Sequence, residues 1–118
     1  MIFALTTDDR TLLVFATEAE AIACAEGIDV EDGNWLFFDA DGKPLEAVFT
    51  TPNKHGSFWV ESGVYVLRLA ASAFRKTLLD ELDDVSAVEG EPPLNTVAEI
   101  KKLLTLRSTS LPSVAGRR

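Results

Sequence analysis

The chain has 118 residues, of which 47% are hydrophobic and 25% charged, and this composition excludes a disordered or collagen-like protein. Nineteen acidic residues outnumber eleven basic ones, which gives a formal charge of −8, and a single cysteine excludes an internal disulfide. The apolar runs are far shorter than the roughly 20 residues of a membrane helix, and no basic apolar leader opens the chain, so we expect a cytoplasmic protein.

The chain opens with the pattern of a hairpin followed by a helix. Residues 2–5 and 11–17 are apolar runs rich in β-branched and aromatic side chains, and the polar segment 6–10 between them is typical of a turn. Both faces of the second run carry apolar side chains, which indicates a strand covered on both sides. The motif at 17–20 is a capping box and predicts a helix over 18–26.

Two strands joined by a tight turn are predicted next. The acidic segment 29–32 is expected to be a loop. Residues 34–39 carry large apolar side chains on both faces, as a central strand does. Asp41 and Gly42 form the strongest hairpin signal in the chain and predict a return strand over 44–51.

The remaining chain predicts two more strands, two helices and a tail. Strands at 57–61 and 64–70 continue the spacing of an antiparallel meander. The apolar period then changes from two to about 3.6 residues, which predicts an amphipathic helix over 73–86 and, after a Pro-Pro loop, another over 96–106. Residues 107–118 lack a dense apolar pattern and are expected to form a flexible basic tail.

Together these elements predict a single α+β domain over residues 1–106. Its antiparallel sheet has about six short strands, with one helix after the second strand and two helices at the C-terminal end. A domain of this length can bury a hydrophobic core that needs neither disulfides nor a metal ion.

Charge is unevenly distributed along the sequence. Residues 1–100 hold all nineteen acidic residues and six basic ones, a formal charge of −13, whereas residues 101–118 hold five basic residues and no acidic one. So acidic a body repels the phosphates of nucleic acid, and we expect neither a nucleic-acid nor a membrane partner. The acidic part of the chain is instead attracted to the surface of a basic protein.

The sequence offers little for catalysis or for a cofactor. The single histidine, His55, lies in a predicted turn without metal ligands nearby, and Cys24 has no neighbouring cation that would activate its thiol. The stretch 39–42 begins like a calcium loop but lacks the remaining oxygen ligands. Phosphate-binding glycine motifs are missing from the sequence. We therefore predict no catalytic residue, no metal site, no cofactor and no enzymatic activity.

Two acidic groups and one aromatic side chain are the candidate partner-binding residues. One group precedes the predicted central strand, and the other runs from the first C-terminal helix into the Pro-Pro loop. A tryptophan beside acidic residues is typical of an interface anchor. The candidates are Asp29, Glu31, Asp32, Trp59, Glu61, Asp80, Asp83, Asp84, Glu89 and Glu91. A solvated polar face is the simpler interpretation of the same carboxylates.

The stretch from Gly33 to Leu45 looks like hairpins found in small bacterial proteins of unassigned activity. With its acidic α+β layout and no catalytic motif, the chain resembles the immunity proteins that bacteria make against their own polymorphic or contact-delivered toxins. The resemblance implies a protein that neutralises a cognate toxin domain with an acidic surface. Two alternatives stay open. One is a structural or regulatory module that self-associates through an edge strand. The other is a small enzyme or ligand carrier that uses His55, Tyr65 or a carboxylate pair in a pocket between the sheet and the helices.

Overall fold

A computed structural model describes the backbone of residues 1–71 and 75–116, and the side chains of these residues up to 107. Its strands are β1 (Ile2–Thr6), β2 (Thr11–Phe15), β3 (Trp35–Phe38), β4 (Pro44–Thr51), β5 (Lys54–His55), β6 (Val60–Glu61), β7 (Val64–Leu69) and β8 (Ala87–Glu89). Its helices are α1 (Glu18–Cys24), α2 (Gly27–Glu31), α3 (Leu78–Glu81), which continues into a 3₁₀ turn at Leu82–Asp84, and α4 (Val97–Gly116).

Six of the strands form one sheet in the order β7-β4-β3-β1-β2-β8. The first four pairings in this order are antiparallel, and β8 joins the edge of the sheet parallel to β2. β5 and β6 pair only with each other and form a separate hairpin beyond the end of β4. The predicted α+β class is thereby confirmed.

The sheet lies between two layers of helices, and each of its faces has its own core. Alternation along β1 directs Ala4 towards α1 and α2, whereas Phe3 and Leu5 face α3 and α4. β3 follows the same rule, with Phe37 on the first face and Phe38 on the second. Burial of each such aromatic or leucine side chain stabilises the fold by about 1.5–3 kcal/mol. The predicted two-sided covering of the central strands is therefore correct.

Local hydrogen bonds explain where two of the predicted elements begin and turn. The Thr17 hydroxyl accepts a hydrogen bond from the Glu20 backbone N–H at 3.2 Å and caps α1. In the turn between β3 and β4, Asp39 Oδ1 accepts from the backbone N–H groups of Asp41 and Lys43, each at 2.9 Å. Gly42 has a φ of +81° there, a conformation that favours glycine.

Three of the predicted elements are wrong in extent or type. The expected acidic loop at 29–32 is mostly the helix α2, because a second helix starts at Gly27, three residues after α1 ends at Cys24. The expected strand at 57–61 is a tight turn followed by β6, which pairs away from the main sheet. The expected helix at 73–86 is reduced to α3 and its 3₁₀ turn, since Thr77 and Asp80 form a reciprocal capping box that starts the helix at Leu78.

Two further differences concern the C-terminal part. Residues 87–89 form the unexpected edge strand β8, and residues 72–74, where the predicted helix would begin, lie outside the described residues. α4 continues to Gly116 instead of ending at residue 106. Gly116 is the first glycine after Gly90, so the chain offers no earlier glycine to end that helix. Within residues 1–71 and 75–116, none of the helices has the length and apolar character needed to cross a membrane.

Candidate partner-binding surface

Strand directions bring the turn between β1 and β2 next to the segment that follows α2. Thr6, at the end of β1, pairs with Trp35, at the start of β3. The Thr7 backbone N–H donates to the carbonyl of Asn34, and the Thr7 hydroxyl donates to the carbonyl of Gly33, both at 3.0 Å. The first acidic group therefore lies at the end of the sheet where β1 stops and β3 begins.

The second acidic group reaches the same end of the sheet through Arg10. The Arg10 guanidinium donates from Nη2 to Glu81 Oε1 at 2.6 Å and from Nε to the carbonyl of Asp84 at 3.4 Å. The backbone N–H of Ser86 donates to the carbonyl of Arg10 at 2.9 Å. These contacts hold the 3₁₀ turn against the turn between β1 and β2.

The hairpin formed by β5 and β6 completes this end of the molecule, because it follows the last residue of β4 there. We call this region the acidic end. Its acidic residues are Asp8, Asp9, Glu26, Asp29, Glu31, Asp32, Glu61, Glu81, Asp83 and Asp84. In the described part of the chain, Arg10 and Lys54 are the basic residues at this end. The opposite end carries Lys43, Arg75, Lys76, Lys101, Lys102 and Arg107.

Seven of the ten candidate residues lie at the acidic end, and three lie elsewhere. The seven are Asp29, Glu31, Asp32, Trp59, Glu61, Asp83 and Asp84. Asp80 Oδ2 accepts a hydrogen bond from the Thr77 N–H and caps α3. Glu89 lies at the far end of β8, and Glu91 lines a groove with Met1 at the opposite end of the sheet.

Sequence reasoning missed the contribution of Asp8 and Asp9, which it took only as turn residues. The Thr6 hydroxyl donates to the Asp9 carboxylate, and the Thr11 backbone N–H donates to the same oxygen at 3.3 Å. These hydrogen bonds lower the pKa of Asp9 from its ordinary value and outweigh the opposing effect of desolvation. The Asp9 carboxylate therefore keeps its charge to lower pH than a free aspartate. The position of Asp9 at the acidic end follows only from the strand order.

The hairpin of β5 and β6 is fastened to α2 at its base. Asn53 donates from Nδ2 to the carbonyl of Gly27 at 3.0 Å, and its Oδ1 accepts from the N–H of Gly63 at 2.7 Å. His55 Nε2 lies 3.0 Å from Glu31 Oε1, which is an ion pair when the imidazole is protonated. The histidine thus contacts one of the predicted binding carboxylates.

Tyr65 and His55, which were considered for an enzyme or carrier, contact different parts of the protein. The Tyr65 hydroxyl donates to the carbonyl of Ala25 at 2.6 Å, and burial, followed by the charge of Cys24, raises the pKa of Tyr65 to about 12. His55 is exposed on the hairpin. An apolar groove of about 180 Å³ lies at the opposite end, between the Pro-Pro loop and α4. Across residues 1–71 and 75–107, no three His, Cys, Asp or Glu side chains are grouped as a metal site would require.

The two edges of the sheet bear on the self-association alternative. β7 is one edge, and the outward backbone N–H of Leu67 donates to Glu18 Oε2 at 3.1 Å. Because that group is already bonded, β7 offers a second chain an incomplete set of donors. β8 is the other edge and has only three residues.

Comparison with family models, curated proteins and solved structures found no match to this chain.

Proposed function

We propose that this protein binds a basic protein through its acidic end and inhibits it, as an immunity protein inhibits its cognate bacterial toxin. The observation that supports the proposal is the gathering, at one end of the sheet, of carboxylates from four segments distant in sequence: the turn between β1 and β2, α2, the hairpin of β5 and β6, and the 3₁₀ turn.

Most of these carboxylates have no basic side chain within ion-pair distance. At the acidic end, the ion pairs among the described residues are Arg10 with Glu81 and His55 with Glu31. The remaining like charges repel each other, and a basic surface placed over them relieves this repulsion. Such complementarity also speeds the encounter with a basic partner and suppresses binding to acidic ones.

The same charge pattern favours the active-site cleft of a toxin as the target. An enzyme that acts on nucleic acid must neutralise phosphates with lysine and arginine side chains. A protein that covers such a cleft with carboxylates competes with the substrate for those side chains. Inhibition would then follow from occupation of the cleft.

Co-expression with the basic product of a neighbouring gene, followed by affinity capture and a growth-rescue assay, tests the proposal. The informative variant carries Asp32→Lys, Asp83→Lys and Asp84→Lys at the acidic end. A matched control carries three substitutions of exposed residues at the opposite end, which are Asp41→Lys, Glu89→Lys and Glu91→Lys. Both variants change the net charge equally.

We expect the acidic-end variant to bind the neighbouring product at least about tenfold more weakly, because it places three cations against a basic surface. The control should bind within about threefold of the parent protein. Charges at the opposite end lie far from the proposed interface, and salt screens their electrostatic effect on it. Equal losses in both variants would mean that net charge alone governs binding. Failure of the parent protein to bind would refute the proposed function.

A further inference from the structure

The hairpin of β5 and β6 ends in two exposed aromatic side chains. The Gly56 N–H donates to the carbonyl of Trp59 at 2.8 Å and closes a four-residue turn with Ser57 and Phe58 at its central positions. The Phe58 side chain is 99% exposed, and Trp59 is 55% exposed. We call Phe58 and Trp59 the aromatic tip. Neighbouring large apolar side chains this exposed mark an interaction site on a folded domain.

Within the aromatic tip, the Trp59 side chain has a defined position. The indole of Trp59 lies directly over Gly56, where an added Cβ would come within 2.3 Å of the ring. The bonds of Asn53 to Gly27 and Gly63 hold the base of the hairpin to the body of the protein. A protruding group that is already positioned loses little conformational entropy when it enters a pocket.

The charges around the aromatic tip restrict what it can contact. Glu61 is on the hairpin itself, paired across the strands with Lys54, and Glu31 is joined to the hairpin through His55. Asp32 follows Glu31 directly at the end of α2. A second copy of this chain, or an anionic membrane, would bring negative charge against these carboxylates. A protein whose apolar pocket is surrounded by lysine and arginine side chains fits both features.

We infer that the aromatic tip is the element of the acidic end that inserts into the partner. Phe58 and Trp59 enter an apolar pocket of a basic protein, and the neighbouring carboxylates pair with basic residues around its mouth. A partner arginine or lysine over the indole adds a cation–π contact. This inference rests on the proposed function and names the side chains that supply its affinity.

Binding to the purified basic product of the neighbouring gene, measured by titration, tests the inference. Phe58→Ala and Trp59→Ala should each raise the dissociation constant about 30-fold or more, which is the effect of removing a central aromatic anchor. Leu106→Ala is the matched control, because Leu106 is 59% exposed and lies on α4, away from the acidic end. It should leave the dissociation constant unchanged. Thermal unfolding should change little in all three variants, since each shortens a side chain that is more than half exposed.

Two additional measurements test whether the aromatic tip enters a pocket of the partner or only lies near its surface. In a Trp35→Phe background, Trp59 is the remaining tryptophan, and its emission should shift to the blue and resist acrylamide quenching in the complex. Gly56→Ala keeps both aromatic side chains but displaces the indole by the steric contact described above. We expect its affinity to fall between those of the parent protein and Trp59→Ala.

The outcomes distinguish this inference from the proposed function. If the acidic-end charge reversal weakens binding but Phe58→Ala and Trp59→Ala bind within about twofold of the parent protein, the inference is overturned and the proposed function stands. If the parent protein does not bind, both the inference and the proposed function are refuted. Tip-dependent binding to vesicles of phosphatidylcholine and phosphatidylglycerol, or a concentration-dependent blue shift of Trp59 without partner, overturns the inference in favour of a membrane or a second copy.

Discussion

Asn53 is the residue whose substitution best tests how the hairpin is fastened to the body. Its side-chain amide joins α2 to the start of β7, because it donates to the Gly27 carbonyl and accepts from the Gly63 N–H. Both bonds are partly buried. Asn53→Ala removes both and leaves a donor and an acceptor that water reaches poorly.

The expected cost follows from those two bonds. Each contributes about 1 kcal/mol net, and a buried partner left unsatisfied adds to the loss, so Asn53→Ala should lower the free energy of unfolding by about 2–3 kcal/mol. Asn53→Asp keeps the acceptor for Gly63 but places a carboxylate oxygen against the Gly27 carbonyl. Because only the protonated acid can donate to that carbonyl, folding raises the pKa of the new aspartate. The destabilisation by Asn53→Asp should therefore grow as the pH rises through that pKa.

Urea unfolding followed by circular dichroism measures these differences. Asn34→Ala is the control, because the exposed Asn34 side chain makes no hydrogen bond within the described part of the chain. It should change the free energy of unfolding by less than about 0.5 kcal/mol. If Asn53→Ala is as stable as Asn34→Ala, the amide does not fasten the hairpin, and the defined position of the aromatic tip loses its main support.

Two other predictions concern the cores on the two faces of the sheet. Leu104→Ala should cost about 3 kcal/mol of unfolding free energy, because Leu104 is buried between α4 and the sheet, whereas exposed Leu106→Ala should cost little in the same urea titration. Tyr65 keeps its proton in the folded protein up to a pKa of about 12, while the unfolded chain releases it near 10, so stability should fall as the pH rises between those values. Tyr65→Phe should remove that part of the fall, and an unchanged pH profile would contradict the buried hydrogen bond to Ala25.

The sequence predicted the central strands well because their alternation has one physical cause. Side chains on a strand point to opposite faces, and a sheet covered on both faces needs apolar residues at every position. Leu36 to Phe38 meet that requirement, and the turn at Asp41 and Gly42 sets the pairing that follows. The limits of β4 accordingly match the prediction at both ends.

The errors arose where tertiary contacts override local pattern. Residues 57–61 alternate like a strand, but the turn closed by Gly56 and Trp59 pairs β6 with β5 outside the main sheet. Residues 87–89 lie just beyond the predicted helix at 73–86, yet they extend the sheet because β2 presents a free edge to them. A short sequence window contains no information about either partner.

The sequence identifies individual residues of the candidate surface but does not show which of them lie together. Runs of carboxylates are visible in the sequence, and Trp59, the candidate interface anchor, is 55% exposed. Their grouping depends on the direction of each strand, which places Asp32 and Asp83 at one end and Glu89 at the other. Asp8 joins the group for the same reason.

The hydrogen bond from Leu67 to Glu18 also affects how easily a further strand could add to β7. An open edge strand can template the addition of further strands and start fibril growth, particularly when it is apolar. β7 is rich in valine and leucine, and both Val64 and Leu69 are more than half exposed. The carboxylate of Glu18 occupies the middle of that edge with a charge that an incoming strand would have to desolvate. A single helix-terminal glutamate thus makes amyloid-like stacking on this edge less favourable.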